Sequence, residues 1–539
     1  MDNETSKTNN LNNEFIAHVR KFDGLKQPLH VHLAEVAQIS KKLAEKINAP
    51  LAGELIGLIH DFGKYSQAFQ IYIKSATGLL NPDIDDEYVD AKGLKGRIDH
   101  STAGAQWIYH QLKNYGKRGE GQLIAQILAL CVASHHSGLI NCLDDHATKP
   151  NAFLRRINDK LEEDSHLAEC IAQAEGIIKK ANQIIANGLV KETYYSMQPI
   201  IKQWANSNIN YIDEFYLGCF TRFLFSCLID ADRINSADFE RPQNQEWRSQ
   251  SLPDWSVAVN KLEQVLTDFK QENEIDHIRQ DISDQCLQRA NDQQGIYTLS
   301  VPTGGGKTLA SLRYALHHAK THQLERIIYI IPYTSIIEQN AQVADHILGL
   351  QENQKPWVLE HHSNLEPEQQ TWTSKLITDN WDSPIIFTTM VQFLETCFGA
   401  GTRGVRRLHQ LANSVLIFDE VQTLPINCVH LFCNQLNFLN QLAGTTAILC
   451  TATQPLLHDL PEKLKKFGEI HLSANAEIIG DTVAVDRLFE LLERVTVIDR
   501  RQVAGWTAQA LNQLILEQYR QAGSCLVIVN TKAWAQQLY

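Results

Sequence analysis

The stretch that most constrains this 539-residue chain is Ser300–Leu309, SVPTGGGKTL. An apolar run, Gly295–Val301, precedes it, and a helix-like run through Ala315 and Leu316 follows. A strand, a glycine turn and a helix in that order place backbone N–H groups around a polyphosphate at a helix N-terminus. Gly304, Gly305 and Gly306 allow the backbone to curl where side chains would clash. Lys307 supplies a point charge for the β- and γ-phosphates, and the Thr308 hydroxyl and Thr303 complete the turn, Thr308 as a Mg²⁺ ligand. The full G-x-x-x-x-G-K-T pattern would want glycine at 301, where this chain has Val301. The expected cofactor is ATP with Mg²⁺.

At this length one core is excluded and about two to four domains are expected. Hydrophobic content of 44% and charged content of 21% describe an ordinary folded chain. A net charge of −13 excludes a broadly basic surface, so any nucleic-acid partner has to be held in local grooves. The eleven cysteines form no C-x-x-C pair, which suits reduced thiols in the cytoplasm. No apolar run approaches the ~18 residues of a membrane span, and the polar first residues lack a signal peptide's apolar core.

The first third reads as helical. Val36, Ile39, Leu43 and Ile47 recur at helical spacing, with His32 one turn before Val36. Leu55–Ile59 runs into His60-Asp61-Phe62-Gly63-Lys64, with Gly63 read as a helix end. Asp99–Thr102 has the form of a capped helix start, and Leu123–Ala133 ends at His135-His136. Phe220, Leu224, Cys227, Leu228 and Ala231 form a face leading to Asp232. A single histidine on such a helix is ordinarily a packed core residue. Seven imidazoles and carboxylates on or at the ends of apolar helices (His32, His60, Asp61, His100, His135, His136 and Asp232) point to metal ligation instead. That ligand set suits borderline transition metals such as Fe, Mn, Co, Ni or Zn rather than Ca²⁺, and seven ligands point to two adjacent divalent ions, expected to be Fe, Mn, Co or Ni. Paired metals are what phosphodiester hydrolysis asks for, with His60 and Asp61 central and Lys64 adding charge toward the scissile phosphate. His18, His30, His110, His146 and His166 read as surface or packing residues.

This pattern resembles the HD phosphohydrolase superfamily, and His100 with His135-His136 resembles its nuclease branch, found in the CRISPR-associated nuclease–helicases of type I systems. In Ile229–Arg233 either Asp230 or Asp232 can be the last ligand of that family, and the A-D-R step favours Asp232.

Beyond a polar stretch and one amphipathic helix (241–275), β-branched runs at Ile327–Ile331, Ile385–Thr388, Val415–Phe418 and Ala447–Cys450 alternate with helical ones. Such alternation predicts a parallel sheet with ligand groups at the C-terminal strand ends. Asp419 there is expected to hold Mg²⁺, and Glu420 to polarise the attacking water. Arg403, Arg406 and Arg407 read equally as a solvated face or as phosphate contacts. The P-loop spelling, Pro332–Ser335, Thr388–Gln392, Asp419–Gln422 and Thr451–Thr453 resemble, in order, motifs of superfamily-2 helicases.

The resemblance implies an all-α HD-type bundle (14–240), a linker (241–275), an α/β RecA-like P-loop lobe (276–481) and an incomplete second RecA-like lobe (482–539), opening with a strand at Gly523–Asn530. It further implies an ATP-dependent helicase and metal-dependent single-stranded DNA nuclease of antiviral defence, cytoplasmic, recruited by an RNA-guided surveillance complex and with no membrane partner. Because the later helicase motifs are absent, ATP is expected to bind but to be hydrolysed poorly. Two rival readings are an HD phosphohydrolase acting on nucleotides under control of an ATPase module, and an ATP-binding, nucleic-acid-dependent switch without turnover.

Overall fold

A computed structural model describes residues 15–81, 84–85, 87–90, 98–117, 119–142, 151–160, 162–174, 188–204, 211–248, 252–348, 356–362 and 378–539. It divides into two compact units, Met1–Phe489 and Glu490–Tyr539.

The first unit begins with a short antiparallel hairpin, β1 (Ile16–Val19) and β2 (Lys26–Pro28), where only helix was expected. Each strand is only four or three residues long, too short for alternation to register. Helices then dominate: α1 (Leu29–Ala44), α2 (Pro50–Ile59), α3 (Gln67–Ala76), α4 (Thr102–Leu112) and α5 (Glu120–Ser134). Pro50 stands at the first position of α2, where its missing N–H costs nothing, and Ser66 caps α3 by accepting from the Phe69 N–H at 3.3 Å. Val36, Ile56, Ile108 and Leu128 are fully buried and make one core between these helices.

The 30-residue helix Tyr211–Glu240 closes the bundle, and one stripe of it faces an α/β lobe. Arg222 Nε and Nη2 donate to the Cys397 and Gly399 carbonyls at 2.6 and 2.9 Å. Ser226 Oγ accepts from the His409 N–H at 3.1 Å, and Asp230 pairs with Arg406 and His409 at 2.6 and 3.0 Å. Arg222, Ser226 and Asp230 fall at the four-residue steps of one helical face.

The α/β lobe is a six-stranded, wholly parallel sheet in the order β3-β8-β7-β4-β6-β5. Its strands are β3 (Ile296–Ser300), β4 (Arg326–Ile331), β5 (Val358–His361), β6 (Ile385–Thr389), β7 (Ser414–Asp419) and β8 (Thr446–Thr451). Five of these answer to the apolar runs read from sequence; the edge strand β5 does not. The helix Trp255–Thr267, inside the stretch read as linker, lies on the lobe: Trp255 Nε1 donates to the Leu324 carbonyl at 2.7 Å, and Glu263 receives a bidentate pair from Arg313 at 2.7 Å.

In the second unit, helices Ala508–Ala522 and Lys532–Leu538 bury no side chain. The run Gly523–Asn530, expected as a strand, belongs to no ladder, because a lone extended segment has no partner to satisfy its N–H and C=O groups. Among the described residues no helix is long and apolar enough to cross a membrane.

Candidate metal centre and nucleotide site

All seven histidines and aspartates singled out in the bundle come together. Among the described residues they form two groups whose donor atoms lie within 4.8 Å of one another: His32, His60, Asp61 and Asp232, and Asp61, His100, His135 and His136. Asp61 belongs to both. Its Oδ2 is 3.3 Å from Nε2 of both His32 and His60, while its Oδ1 is 3.2 Å from His135 Nε2 and 3.6 Å from His100 Nε2. Asp232 Oδ1 closes the first group at 3.6 and 3.7 Å from His32 and His60.

Helix ends put His60 and His135 there, whereas Asp232 projects from within the helix Tyr211–Glu240. His60 follows the last residue of α2 and donates from Nδ1 to the Gly57 carbonyl at 2.8 Å; His135 does the same after α5, to the Val132 carbonyl at 2.8 Å. Each bond fixes the tautomer and aims Nε2 at the cluster. His100 is held by its neighbour: the Asp99 carboxylate accepts from the Ser101 and Thr102 N–H groups at 3.0 Å and is anchored by Arg156 and Lys160. Gly63, read as a helix end, instead permits the close crossing of His100, since a Cβ there would lie 2.5 Å from His100 Cα.

The electrostatics divide the imidazoles. Burial alone would lower the His60 pKa, but the Asp61 and Asp232 charges raise it to about 10, so His60 gives up a proton when a cation takes Nε2. Burial lowers His100 to about 4 and His136 to about 2, so both are neutral at neutral pH, and their Nε2 atoms meet at 2.5 Å. The Asp61 carboxyl is held well below the carboxylate range: Lys64, at 2.7 Å, and His60 outweigh its burial. Lys64 is itself buried beneath Asp61.

The donor set fits divalent metals. Nε2 of both His32 and His60 is buried with no hydrogen-bond partner, an expensive arrangement unless another group takes the lone pair. His136, its side chain 52% exposed, marks the open side of the cluster.

Asp230, the alternative last ligand, turns away to the lobe, whereas Asp232 faces the cluster. Arg406 and Arg407 are neither solvated nor open to phosphate: both are buried, Arg406 on Asp230 and Arg407 across the Trp381 ring. Arg403 is exposed. His18 packs edge-on against His32 with ring centroids 4.9 Å apart and meets Ser236 Oγ at 3.3 Å, so it adjoins a ligand histidine. His30 and His110 are exposed, His166 pairs with Glu169, and His146 lies outside the described residues.

The nucleotide-site residues gather at the C-terminal ends of β3, β7 and β8. Gly304 and Gly306 take φ of 87° and 80°, a left-handed backbone open to glycine, and Lys307 starts the helix Lys307–His322. Thr303 and Gly304 are exposed, Gly305 is buried, and Thr308 is half-buried. Lys307 Nζ reaches Asp419 Oδ1 at 2.8 Å and Glu420 Oε1 at 2.6 Å. Gln422 Nε2 donates to Glu420 Oε2 at 2.6 Å, and Thr451 Oγ1 donates to Gln422 Oε1 at 2.5 Å, linking β7 to β8. Sequence reasoning passed over Arg279, which donates to the Gly304 carbonyl at 2.9 Å, and Glu477, which accepts from Ser300 N and Oγ at 3.0 and 2.7 Å beside the P-loop. Neither carries a motif; both act across long sequence separations.

Residues 19–191 match the family model described as Cas3, HD domain, and residues 277–455 match DEAD/DEAH box helicase. The chain is 24% identical over 449 residues to the CRISPR-associated nuclease/helicase Cas3 of Haloferax volcanii, covering 74% of this chain and 45% of that protein. Among solved structures, T. fusca Cas3 superposes with a TM-score of 0.58 at 15% identity, covering 97% of this chain and 63% of the other. T. fusca Cas3 with AMPPNP gives 0.50 at 15% identity over 82% and 50%. At such identity the likeness is one of fold. The chain spans about half the length of the curated relative it matches.

Proposed function

We propose that the chain, whose match to the Cas3 HD domain precedes its helicase match, is a nuclease–helicase of the Cas3 type that cuts single-stranded DNA at the bundle's metal centre and couples the strand's movement to ATP at the P-loop. One observation carries the reading: a single buried carboxylate, Asp61, is shared by two complete four-ligand groups. Two bound divalent ions, of Fe, Mn, Co or Ni, supply an activated water and charge for the leaving oxygen. The protein's own part is preparation. Backbone carbonyls hold His60 and His135 in the donor tautomer, Lys64 keeps Asp61 ionised, and exposed His136 borders the side from which a phosphodiester approaches. In the lobe, Lys307 exchanges its pairs with Asp419 and Glu420 for nucleotide phosphates; this frees Asp419 for Mg²⁺ and Glu420, steadied by Gln422, to orient water. The likeness to Cas3 supports recruitment by an RNA-guided surveillance complex in antiviral defence within the cytoplasm.

The test is cleavage of circular single-stranded DNA, beside hydrolysis of deoxynucleoside triphosphates, with Mn²⁺, Co²⁺ or Ni²⁺ added. Expected are DNA fragments, intact nucleotides, and loss of cutting in His60→Ala and Asp61→Ala. Nucleotide hydrolysis with DNA untouched would favour the nucleotide phosphohydrolase, and undiminished cutting by both variants would remove the site from the reaction.

A further inference from the structure

His32 is held differently from His60, His100 and His135. His60, His100 and His135 each turn Nδ1 to a backbone carbonyl, whereas His32 Nδ1 meets a side chain, Asn235 Oδ1, at 2.7 Å. Asn235 is 6% exposed and lies one turn beyond the ligand Asp232. Its amide orientation is set by two further partners. Nδ2 donates to Glu35 Oε2 at 2.6 Å, and Oδ1 accepts from Gln27 Nε2 at 2.9 Å. The oxygen therefore faces His32, which places the proton on Nδ1 and the lone pair on Nε2, the atom left without a partner beside Asp61 and Asp232.

We propose that Asn235 is a positioning residue for His32, fixing its tautomer and ring plane, with Glu35 in turn fixing the amide. The proposal rests on the two-metal reading of the site and makes it asymmetric. The metal position formed by His32, His60, Asp61 and Asp232 depends on a side-chain relay; in the one formed by Asp61, His100, His135 and His136, backbone carbonyls hold His100 and His135. Glu35 sits three residues after His32 on α1, so the relay also ties α1 to the helix Tyr211–Glu240, the two elements that bring His32 and Asp232 to one ion.

The experiment is calorimetric titration of demetallated full chain with Mn²⁺, with thermal melting as a check on folding. Wild type is expected to show two binding events. Asn235→Ala is expected to weaken one of them about 10- to 100-fold, the usual effect of removing a histidine's outer partner, while the other shifts by less than about 3-fold on that same scale. Asn235→Asp alone sets a carboxylate against Glu35 and weakens the same event. Adding Glu35→Gln supplies an amide N–H to that carboxylate and restores it, which simple loss of packing would not do. Both events unchanged in Asn235→Ala, both weakened equally, or no recovery in the double variant would each overturn the relay. A wild-type protein that takes up no metal would instead defeat the two-metal reading, and the relay with it.

Discussion

Replacing Arg406 with alanine tests how firmly the helical bundle is clamped to the α/β lobe. Asp230 is 1% exposed, and its two partners are Arg406 Nε at 2.6 Å and His409 Nε2 at 3.0 Å. These contacts, with Arg406 the strongest attraction, hold the Asp230 carboxyl far below its ordinary value against the opposing effect of burial. Arg406→Ala leaves that anion buried with His409 alone, and breaking a buried pair on one side costs about 3–5 kcal/mol. The helix Tyr211–Glu240 also holds the lobe through Arg222, Ser226 and, via Thr402, Arg233, so the loss appears first as local opening. Native-state hydrogen exchange followed by mass spectrometry reads it directly. Amides around Ser226–Asp232 should exchange roughly 10²–10⁴-fold faster, at about tenfold per 1.4 kcal/mol. Asp230→Asn combined with Arg406→Gln removes the charge and keeps a hydrogen bond, and should return most of the protection. Exchange altered by less than about 3-fold in Arg406→Ala, against that same scale, would refute the idea that this pair governs the clamp.

Lys307→Ala should weaken ATP binding by about 10- to 100-fold, the worth of a charge-assisted hydrogen bond, yet leave metal-dependent cutting of single-stranded DNA intact; loss of both activities would argue for a single shared site. Glu325 is depressed to about 2, Lys46 and Arg326 outweighing its burial, so its contribution is complete above the ordinary value of about 4.3 and is lost as pH falls toward about 2; urea midpoints between pH 5 and 3 should fall less in Glu325→Gln than in wild type, and equal slopes would contradict this. Limited trypsin digestion should cut first at Arg500 and Arg501, which lie in a unit whose helices bury no side chain, and first cuts elsewhere with those bonds intact would count against it.

Much of the site was legible because its chemistry needs particular residue types at helix ends. His60-Asp61 and His135-His136 follow strongly apolar runs, and the P-loop lies between a strand and a helix. What escaped reading depends on which way a side chain faces. Asp230 and Asp232 are two positions apart on one helix, about 200° around its axis at 3.6 residues per turn, and only the lobe packed against Asp230 decides between them. Arg406 and Arg407 carry no signal of burial, because their partners Asp230 and Trp381 lie far away or in an irregular stretch. The strand β5 is short, half-buried at alternate positions and contains Glu360 and His361, so it lacks the apolar run that announced its neighbours. Asn235 gave no warning, since amides in helices are common and its role exists only once α1 lies beside it.

The central claim is that Asp61 joins two metal positions. The direct measurement is anomalous diffraction at the manganese edge from crystals of the full chain equilibrated with Mn²⁺. Two peaks about 3.5–4 Å apart are expected on either side of Asp61, one among His32, His60 and Asp232 and the other among His100, His135 and His136. A single peak, or none within reach of Asp61, would contradict the account.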